Sequence, residues 1–301
     1  MFEHVVNAFW ISFFVSAILS YPCIFLLKKV NARAKVSPFL PAHQQKEGTP
    51  NMGGIFVLVG IFVAMALFNG FENRENVLIS YLIFTFALIG FVDDYLVPRF
   101  TTKRGLGWTI KLAMQALAAS CYVWMLGFRP EAWLAAFFVL TFANAVNFTD
   151  GLDALVTMTL WIALIPFLVY FYSDGNRALL IVSLAILGSL LPFLYFNAPP
   201  AKIFMGDVGA LALGAVYGHL FSTTPYKTQT WPWLTSGVFL LELVLVPIQI
   251  GAVKTLKRRI FPATPFHHSL EALGWPESRV LWAMILLQMI LTSMAFTVMF
   301  L

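Results

Sequence analysis

Charge is what this sequence has least of. Only 11% of its 301 residues are Asp, Glu, Lys or Arg, against about 25% in soluble domains, too few to cover a water-facing surface. With 60% hydrophobic residues and a mean hydropathy of +0.82, the apolar excess has to face lipid, and a soluble fold is excluded. Disorder fails on the same ground, because 30 Phe and 9 Trp are more apolar surface than a solvated chain leaves unburied. Cysteine is scarce as well. Cys23 and Cys121 lie in apolar runs without the spacing of a metal or redox site, so no chemistry is expected of them. No internal repeat or low-complexity stretch divides the chain, which reads as a single transmembrane domain, 1–301.

A bilayer core of about 30 Å takes roughly 20 apolar residues at 1.5 Å each. Runs of this kind occur at Val5–Leu27, Gly53–Phe68, Val77–Val92, Thr109–Leu126, Ala132–Phe148, Leu155–Tyr172, Ala178–Phe196, Val208–Ser222, Leu234–Val253 and Val280–Leu301. The expected fold class is an all-α polytopic membrane protein with ten transmembrane helices. Glu3 and His4 stand where a signal peptide would be basic, so the first span is expected to stay attached. Of the 19 Lys and Arg, 15 fall in one set of connections, among them Lys28, Lys29, Arg33, Lys35, Lys46, Arg99, Lys103, Arg104, Lys111 and Lys202. Arg74, Arg129, Arg177 and Lys227 fall in the other. The positive-inside rule puts the first set in the cytoplasm and both termini outside, with five cytoplasmic connections. The +5 net charge is thus a topology signal and not a nucleic-acid surface.

Asp93, Asp94, Asp150, Asp153 and Asp207 all fall at cytoplasmic ends of spans, with Asn144, Asn147 and Asn197 beside them. The deep polar groups are few: Glu242, with Gln249 and His219 as weaker company. A transporter needs polar groups near the midplane, so this inventory favours a reaction centre at the inner membrane surface.

Five segments carry candidate chemistry. In FVDDY (91–95) two adjacent carboxylates repel unless a divalent cation, basic groups or a proton offsets them; taken alone, solvation of a span terminus explains them equally well. In NAVNFTDGLDAL (144–155), Asn144, Asn147, Asp150 and Asp153 recur every three residues and form a polar ladder on one drifting helix face. Gly151 is expected to end that helix. Such a ladder is costly against lipid, which favours a buried functional cluster. In NAPPAKIFMGDVGALAL (197–213), Gly206 and Asp207 open a span whose N-terminus suits an anion, while the carboxylate suits a metal bridging to phosphate; an ordinary N-cap is the simpler isolated reading. GTPNMGG (48–54) can present backbone N–H groups to phosphate, or form a plain turn. The last basic connection, 258–279, holds His267 and His268, which suit anion contact better than a structural metal.

In order and in context these segments, with HHSLEALGWPE (267–277), resemble the polyprenyl-phosphate N-acetylhexosamine-1-phosphate transferase superfamily over nearly the whole chain. GTPNMGG and the GWPE ending point to its muramoyl-pentapeptide branch. The resemblance implies a Mg²⁺-dependent site on the cytoplasmic face of the bacterial inner membrane. There, phospho-MurNAc-pentapeptide passes from UDP-MurNAc-pentapeptide to undecaprenyl phosphate, giving lipid I and UMP. Carried over by motif, Asp207 binds Mg²⁺, and Asp93 and Asp94 lie beside the acceptor phosphate. Asn144, Asn147, Asp150 and Asp153 belong to the substrate-ordering ladder; Lys46, Asn197 and Phe204 lie near the uridine, and His267 and His268 near phosphates or sugar. The long apolar surface is compatible with a homodimer.

Three positions depart from the family pattern. Val97 stands where a Lys is usual, Ala210 where a Ser is usual, and Ser269 where a third His is usual. Arg99, Lys103 and Arg104 are the sequence candidates to replace the missing cation. Two other functions stay open at this level: transfer from another UDP-N-acetylhexosamine such as UDP-N-acetylglucosamine, and noncatalytic binding or transport of a lipid phosphate. The five aspartates argue against the second.

Overall fold

The structure is a computed structural model and describes residues 2–32, 46–68, 70 and 73–301. Arg33 and Lys35, and the side chains of Glu3 and His4, lie outside the described residues. The elements run α1 (Phe2–Lys29), α2 (Gly54–Phe68), α3 (Arg74–Phe91), a π-helical turn (Val92–Leu96), α4 (Val97–Phe100), α5 (Trp108–Leu126), α6 (Pro130–Thr149), α7 (Leu155–Ser173), α8 (Arg177–Asn197), α9 (Gly206–Ser222), α10 (Trp231–Thr235), α11 (Gly237–Leu256), α12 (Phe266–Ala272) and α13 (Glu277–Met299).

Among the described residues, eight helical segments are long and apolar enough to cross a membrane: those at α1, at α3 with the π turn and α4, and at α5, α6, α7, α8, α11 and α13. The protein is therefore a multi-pass membrane protein. The other two expected spans are shorter, 15 residues in α2 and 17 in α9. At 1.5 Å per residue they reach roughly 23 and 26 Å.

α9 is the axis of the bundle. From Val208 to Phe221 its residues are buried on every side, so it has no lipid face to advertise. Small residues make this possible. A Cβ on Gly214 would lie 2.4 Å from the Phe142 carbonyl oxygen, and one on Gly218 would lie 2.4 Å from that of Phe138, so α6 packs backbone to backbone against α9. Gly54 of α2 and Gly209 of α9 meet in the same way, a Cβ on Gly54 falling 2.2 Å from the Gly209 Cα. A second apolar cluster, with Leu155, Val238, Val280 and Met284, joins α7, α11 and α13.

Deep polar groups are satisfied within the bundle. His219 bonds Glu75 at 2.8 Å and Tyr122 at 2.7 Å, tying α9 to α3 and α5. It lies twelve residues, roughly 18 Å of helix, from Asp207 and takes no part at that end. Gln249 accepts from the N–H groups of Ile260 and Phe261 and donates to the Phe261 carbonyl, bracing the connection after α11. Cys23 and Cys121 are free thiols.

Candidate active site

The close approach of α3 to α9 sets the site. A Cβ on Gly90 would fall 2.3 Å from the Asp207 carbonyl carbon and the Val208 nitrogen, so only glycine lets the two backbones touch there. One turn later α3 loosens into the π turn, a geometry frequent at functional sites, which carries both Asp93 and Asp94. The two carboxylates face different ways. Asp94 accepts from Asn51 Nδ2 at 3.0 Å and from the Val208 N–H at 3.3 Å. It is therefore the carboxyl group at the N-terminus of α9, where free backbone N–H groups need an acceptor. Asp207 sits in the first turn of that helix and is not its N-cap; Met205 holds that position.

Asp93 turns towards Lys111 of α5. The ammonium lies 3.3 Å from Asp93 Oδ2 and 3.3 Å from Asn147 Oδ1, and it pairs directly with Asp207 Oδ2. Asn147 Nδ2 donates to Asp207 Oδ1 at 2.7 Å. One cation thus joins residues from α3, α5, α6 and α9. Arg99, Lys103 and Arg104 are all exposed. A cation does stand beside Asp93, but it is Lys111, fourteen residues beyond Val97, and not one of the three neighbours the sequence suggested.

The ladder of α6 fans out across the site. Asn144 is held one turn deeper by Gln115 of α5 at 2.6 Å and does not join the carboxylates. α6 ends at Thr149, as expected, with Asp150 as its C-cap. Asp150 bonds the Gly206 backbone N–H; loss of water around its carboxyl, and then the charge of Asp207, push its pKa well above the usual carboxylate range. Gly151 does more than end a helix. A Cβ there would sit 2.2 Å from His267 Nε2, so the bare backbone is the seat of that ring. Asp153, 3% exposed, accepts from Lys46 Nζ at 2.7 Å and from the Ala201 N–H at 2.9 Å, while Glu277 of α13 completes the pair with Lys46.

Asn197 and Phe204 shape this second pocket through the backbone. Asn197 accepts from the Ala154 N–H at 3.0 Å and donates to the Ile203 carbonyl at 2.9 Å. The Phe204 N–H donates to the Pro50 carbonyl at 2.9 Å, and its own carbonyl accepts from Gly53 at 2.8 Å. Gly54 N–H donates to the Met205 carbonyl at 3.0 Å. The N–H groups of Gly53 and Gly54 are therefore spent on the 204–205 strip, in keeping with the plain-turn reading of that part of GTPNMGG.

His267 and His268 lie side by side, ring centroids 4.1 Å apart. His268 Nδ1 bonds Glu271 at 2.7 Å. Ser269, in place of a third histidine, bonds both the carbonyl and the N–H of Ala263. Ala210 is fully buried in α9.

A cavity of about 850 Å³ starts at Asp93 and Lys111 and continues between α5, α6 and α11. Its wall follows α6 from Phe148 back to Phe137, about 16 Å of helix. Apart from its mouth, Asn144, Asn147 and Thr141, it is lined by apolar groups, including Leu243, where the sequence departs from a usual polar residue. Asp93 lines it; Asp94 does not.

Comparison with known proteins agrees with this architecture. Residues 76–224 match the model of glycosyl transferase family 4. A phospho-N-acetylmuramoyl-pentapeptide-transferase of Shouchella clausii is 36% identical, the alignment covering 94% of this chain and 94% of that protein. The proteins of the same name from Thermodesulfovibrio yellowstonii and Helicobacter pylori are 34% and 31% identical, over 90% and 91% of this chain and 85% and 87% of their own. With identity above 30% along nearly its full length, the chain belongs to the phospho-N-acetylmuramoyl-pentapeptide-transferase family, and it is a phosphoglycosyl transferase of peptidoglycan synthesis.

Proposed function

We propose that the protein transfers phospho-MurNAc-pentapeptide from UDP-MurNAc-pentapeptide to undecaprenyl phosphate, releasing UMP and leaving lipid I. It does so as one domain, 1–301, of ten spans with both termini outside, at the cytoplasmic face of the bacterial inner membrane. The observation that carries the reading is the joint position of Lys111 and Asp93 at the mouth of the apolar cavity. A lipid phosphate needs a cation for its head and an apolar channel for its chain, and here the two are continuous.

In the transfer, an oxygen of the acceptor phosphate forms a bond to the β-phosphorus of the nucleotide sugar while the bond from that phosphorus to UMP breaks. A phosphate monoester with a second pKa near 6 is mostly dianionic at pH 7, so direct attack needs little help from a base. Lys111 holds the acceptor oxygens in line, and Asp93, which lines the cavity, orients them. Asp94, bound to Asn51 and α9, keeps the π turn against that helix, so of the two carboxylates Asp93 is the one that positions the acceptor. Lys46 and Asp153, with Asn197 and Phe204, form the nucleotide side. Asn147, Asp150, His267 and His268 lie between the two.

Mg²⁺ belongs to the same reading. Among the described residues no three Asp, Glu, His or Cys side chains form a metal cage. The donor set suits Mg²⁺ in the way usual for phosphate chemistry, few carboxylates with substrate oxygens and water completing the shell. Asp207 would hold the ion, its Oδ1 already oriented by the Asn147 amide N–H, and the ion would neutralise charge on the pyrophosphate.

The test is release of UMP by the purified protein with undecaprenyl phosphate and Mg²⁺. Release from UDP-MurNAc-pentapeptide and not from UDP-N-acetylglucosamine supports the reading. The reverse preference assigns the other UDP-N-acetylhexosamine reaction, and release from neither returns the chain to lipid-phosphate binding.

A further inference from the structure

Glu242 is a deep charge that the transfer reaction, as described above, leaves unused. It is fully buried in α11, and its partners all come from the start of α12, 24 and 25 residues away in sequence. One carboxylate oxygen accepts from the Phe266 N–H at 2.6 Å. The other accepts from the His267 N–H at 3.3 Å and from His267 Nδ1 at 3.0 Å. A carboxylate facing Nδ1 fixes the tautomer, with the hydrogen on Nδ1 and a lone pair on Nε2.

The far edge of the same ring has no hydrogen-bond partner. His267 is fully buried, and Nε2 finds none. What it meets is the backbone of Gly151, so closely that a Cβ would overlap it at 2.2 Å. The ring is therefore held from the Glu242 side alone and fills the space under a loop whose neighbours are Asp150 and Asp153. That loop is tied at its ends, by Gly206 to Asp150 and by Lys46 and Ala201 to Asp153. Between the two ties it rests on the imidazole.

We propose that Glu242 and His267 form a buried brace that sets the position of the 150–153 loop, Glu242 acting as a positioning residue through the ring of His267. This rests on the proposed transfer reaction only in its kinetic consequence. Because the loop carries the groups assigned to the nucleotide side, loosening the brace lowers kcat/KM for the nucleotide sugar and leaves KM for the lipid acceptor where it was. The outer-shell partners that orient ligating residues elsewhere set the scale, on the order of 10- to 100-fold.

Two measurements test the brace. The first needs no substrate. ¹⁵N spectra of histidine-labelled protein in nanodiscs should show His267, assigned by its loss in His267→Ala, as the Nδ1–H tautomer. That signature should persist in Glu242→Gln, which keeps an acceptor oxygen, and be lost in Glu242→Leu. An Nε2–H tautomer in the wild type, or a signature indifferent to Glu242→Leu, overturns the proposal. The second is a suppressor cycle. Gly151→Ala alone should lose 10- to 100-fold in kcat/KM for the nucleotide sugar, whereas Gly151→Ala in a His267→Ala background should lose almost nothing further, since the overlap is gone. Multiplying losses in the double variant overturn the brace, and so does a Gly151→Ala protein with unchanged kinetics. If wild-type protein releases no UMP, the transfer reading falls and the spectra still decide the brace. If Glu242→Leu does not fold, the Gly151 and His267 cycle decides it.

Discussion

Replacing Lys111 by Met removes one charge at nearly constant length and tests the centre of the site. The ammonium is 17% exposed and contacts Asp93, Asn147 and Asp207. At the 3.3 Å separation from Asp93 and an effective dielectric of about 20, a unit pair interacts by roughly 5 kcal/mol before desolvation is counted. Most of this does not appear as lost stability. Two carboxylates left facing each other take up a proton, which relieves their repulsion, and the expected loss is the ordinary 0.5–3 kcal/mol or so of a destabilising substitution. Turnover has no such relief, because a proton on Asp93 cannot replace a fixed cation facing phosphate oxygens. Loss of one positioned electrostatic group costs about 2.7–4 kcal/mol in the barrier, a fall in kcat of about 10²–10³. Catalysis should therefore collapse in a protein that still folds. Lys111→Arg should fall between, since a planar fork cannot reproduce three contacts made by a compact ammonium. UMP release and thermal melting in detergent read the two effects separately. A folded Lys111→Met protein with kcat within threefold of wild type would refute the assignment, and so would one whose melting temperature drops without any change in rate.

Asp207→Ala should abolish Mg²⁺-dependent turnover, and near-normal UMP release across a Mg²⁺ titration would discard the metal assignment. Asp150→Asn should change the pH dependence of stability. The carboxyl has a raised pKa in the folded state, so between the unfolded value near 4 and the folded value the native state binds the extra proton, and wild-type stability falls as pH rises through that window. The amide cannot ionise, so the variant should gain melting temperature over wild type progressively above about pH 4; a pH-independent difference contradicts the burial argument. Thr141→Trp fills the cavity wall between α5, α6 and α11. It should raise KM for undecaprenyl phosphate several-fold and leave KM for the nucleotide sugar alone, and a nucleotide effect of equal size would mean that the cavity does not hold the lipid.

The sequence was most legible where charge is costly. In a chain with this little charge, aspartates can only gather at span ends, and the alternation of Lys and Arg between connections assigns them to one side. Gly151 likewise marked the break after Asp150, but the shared face expected of Asn144, Asn147, Asp150 and Asp153 did not form: Asn144 sits one turn deeper on Gln115, α6 ends at Thr149, and Asp153 pairs with Lys46. What stayed hidden were partners that local pattern cannot supply. Lys111 looks like any lysine flanking a span, and only the packing of α5 against α3 and α6 brings it to Asp93 and Asp207. Glu242 reads as an isolated deep charge until α12 folds back onto it. Hydropathy did not show that α2 and α9 are shorter than the other spans, because it cannot tell a helix facing lipid from one, such as α9, surrounded by protein. A helix buried among others need not match the bilayer thickness.

The same burial explains how like charges are held together. Asp93, Asp94 and Asp207 would separate if only their own interactions decided, since one ammonium and a few N–H groups face three carboxylates. Their position is imposed from below, by backbone packing along the largely apolar length of the bundle. Gly54 against Gly209, Gly90 against the Asp207 backbone, and Gly214 and Gly218 against α6 let α2, α3 and α6 close on α9 at backbone contact. In a bilayer, where lipid is as apolar as leucine, such close packing is what drives helices together. The apolar contacts extend along the helices, while the repulsion is confined to one end, so the packing dictates the electrostatics. The site is then left with an excess of carboxylate over cation, which is the condition for attracting Mg²⁺ and, with it, a pyrophosphate.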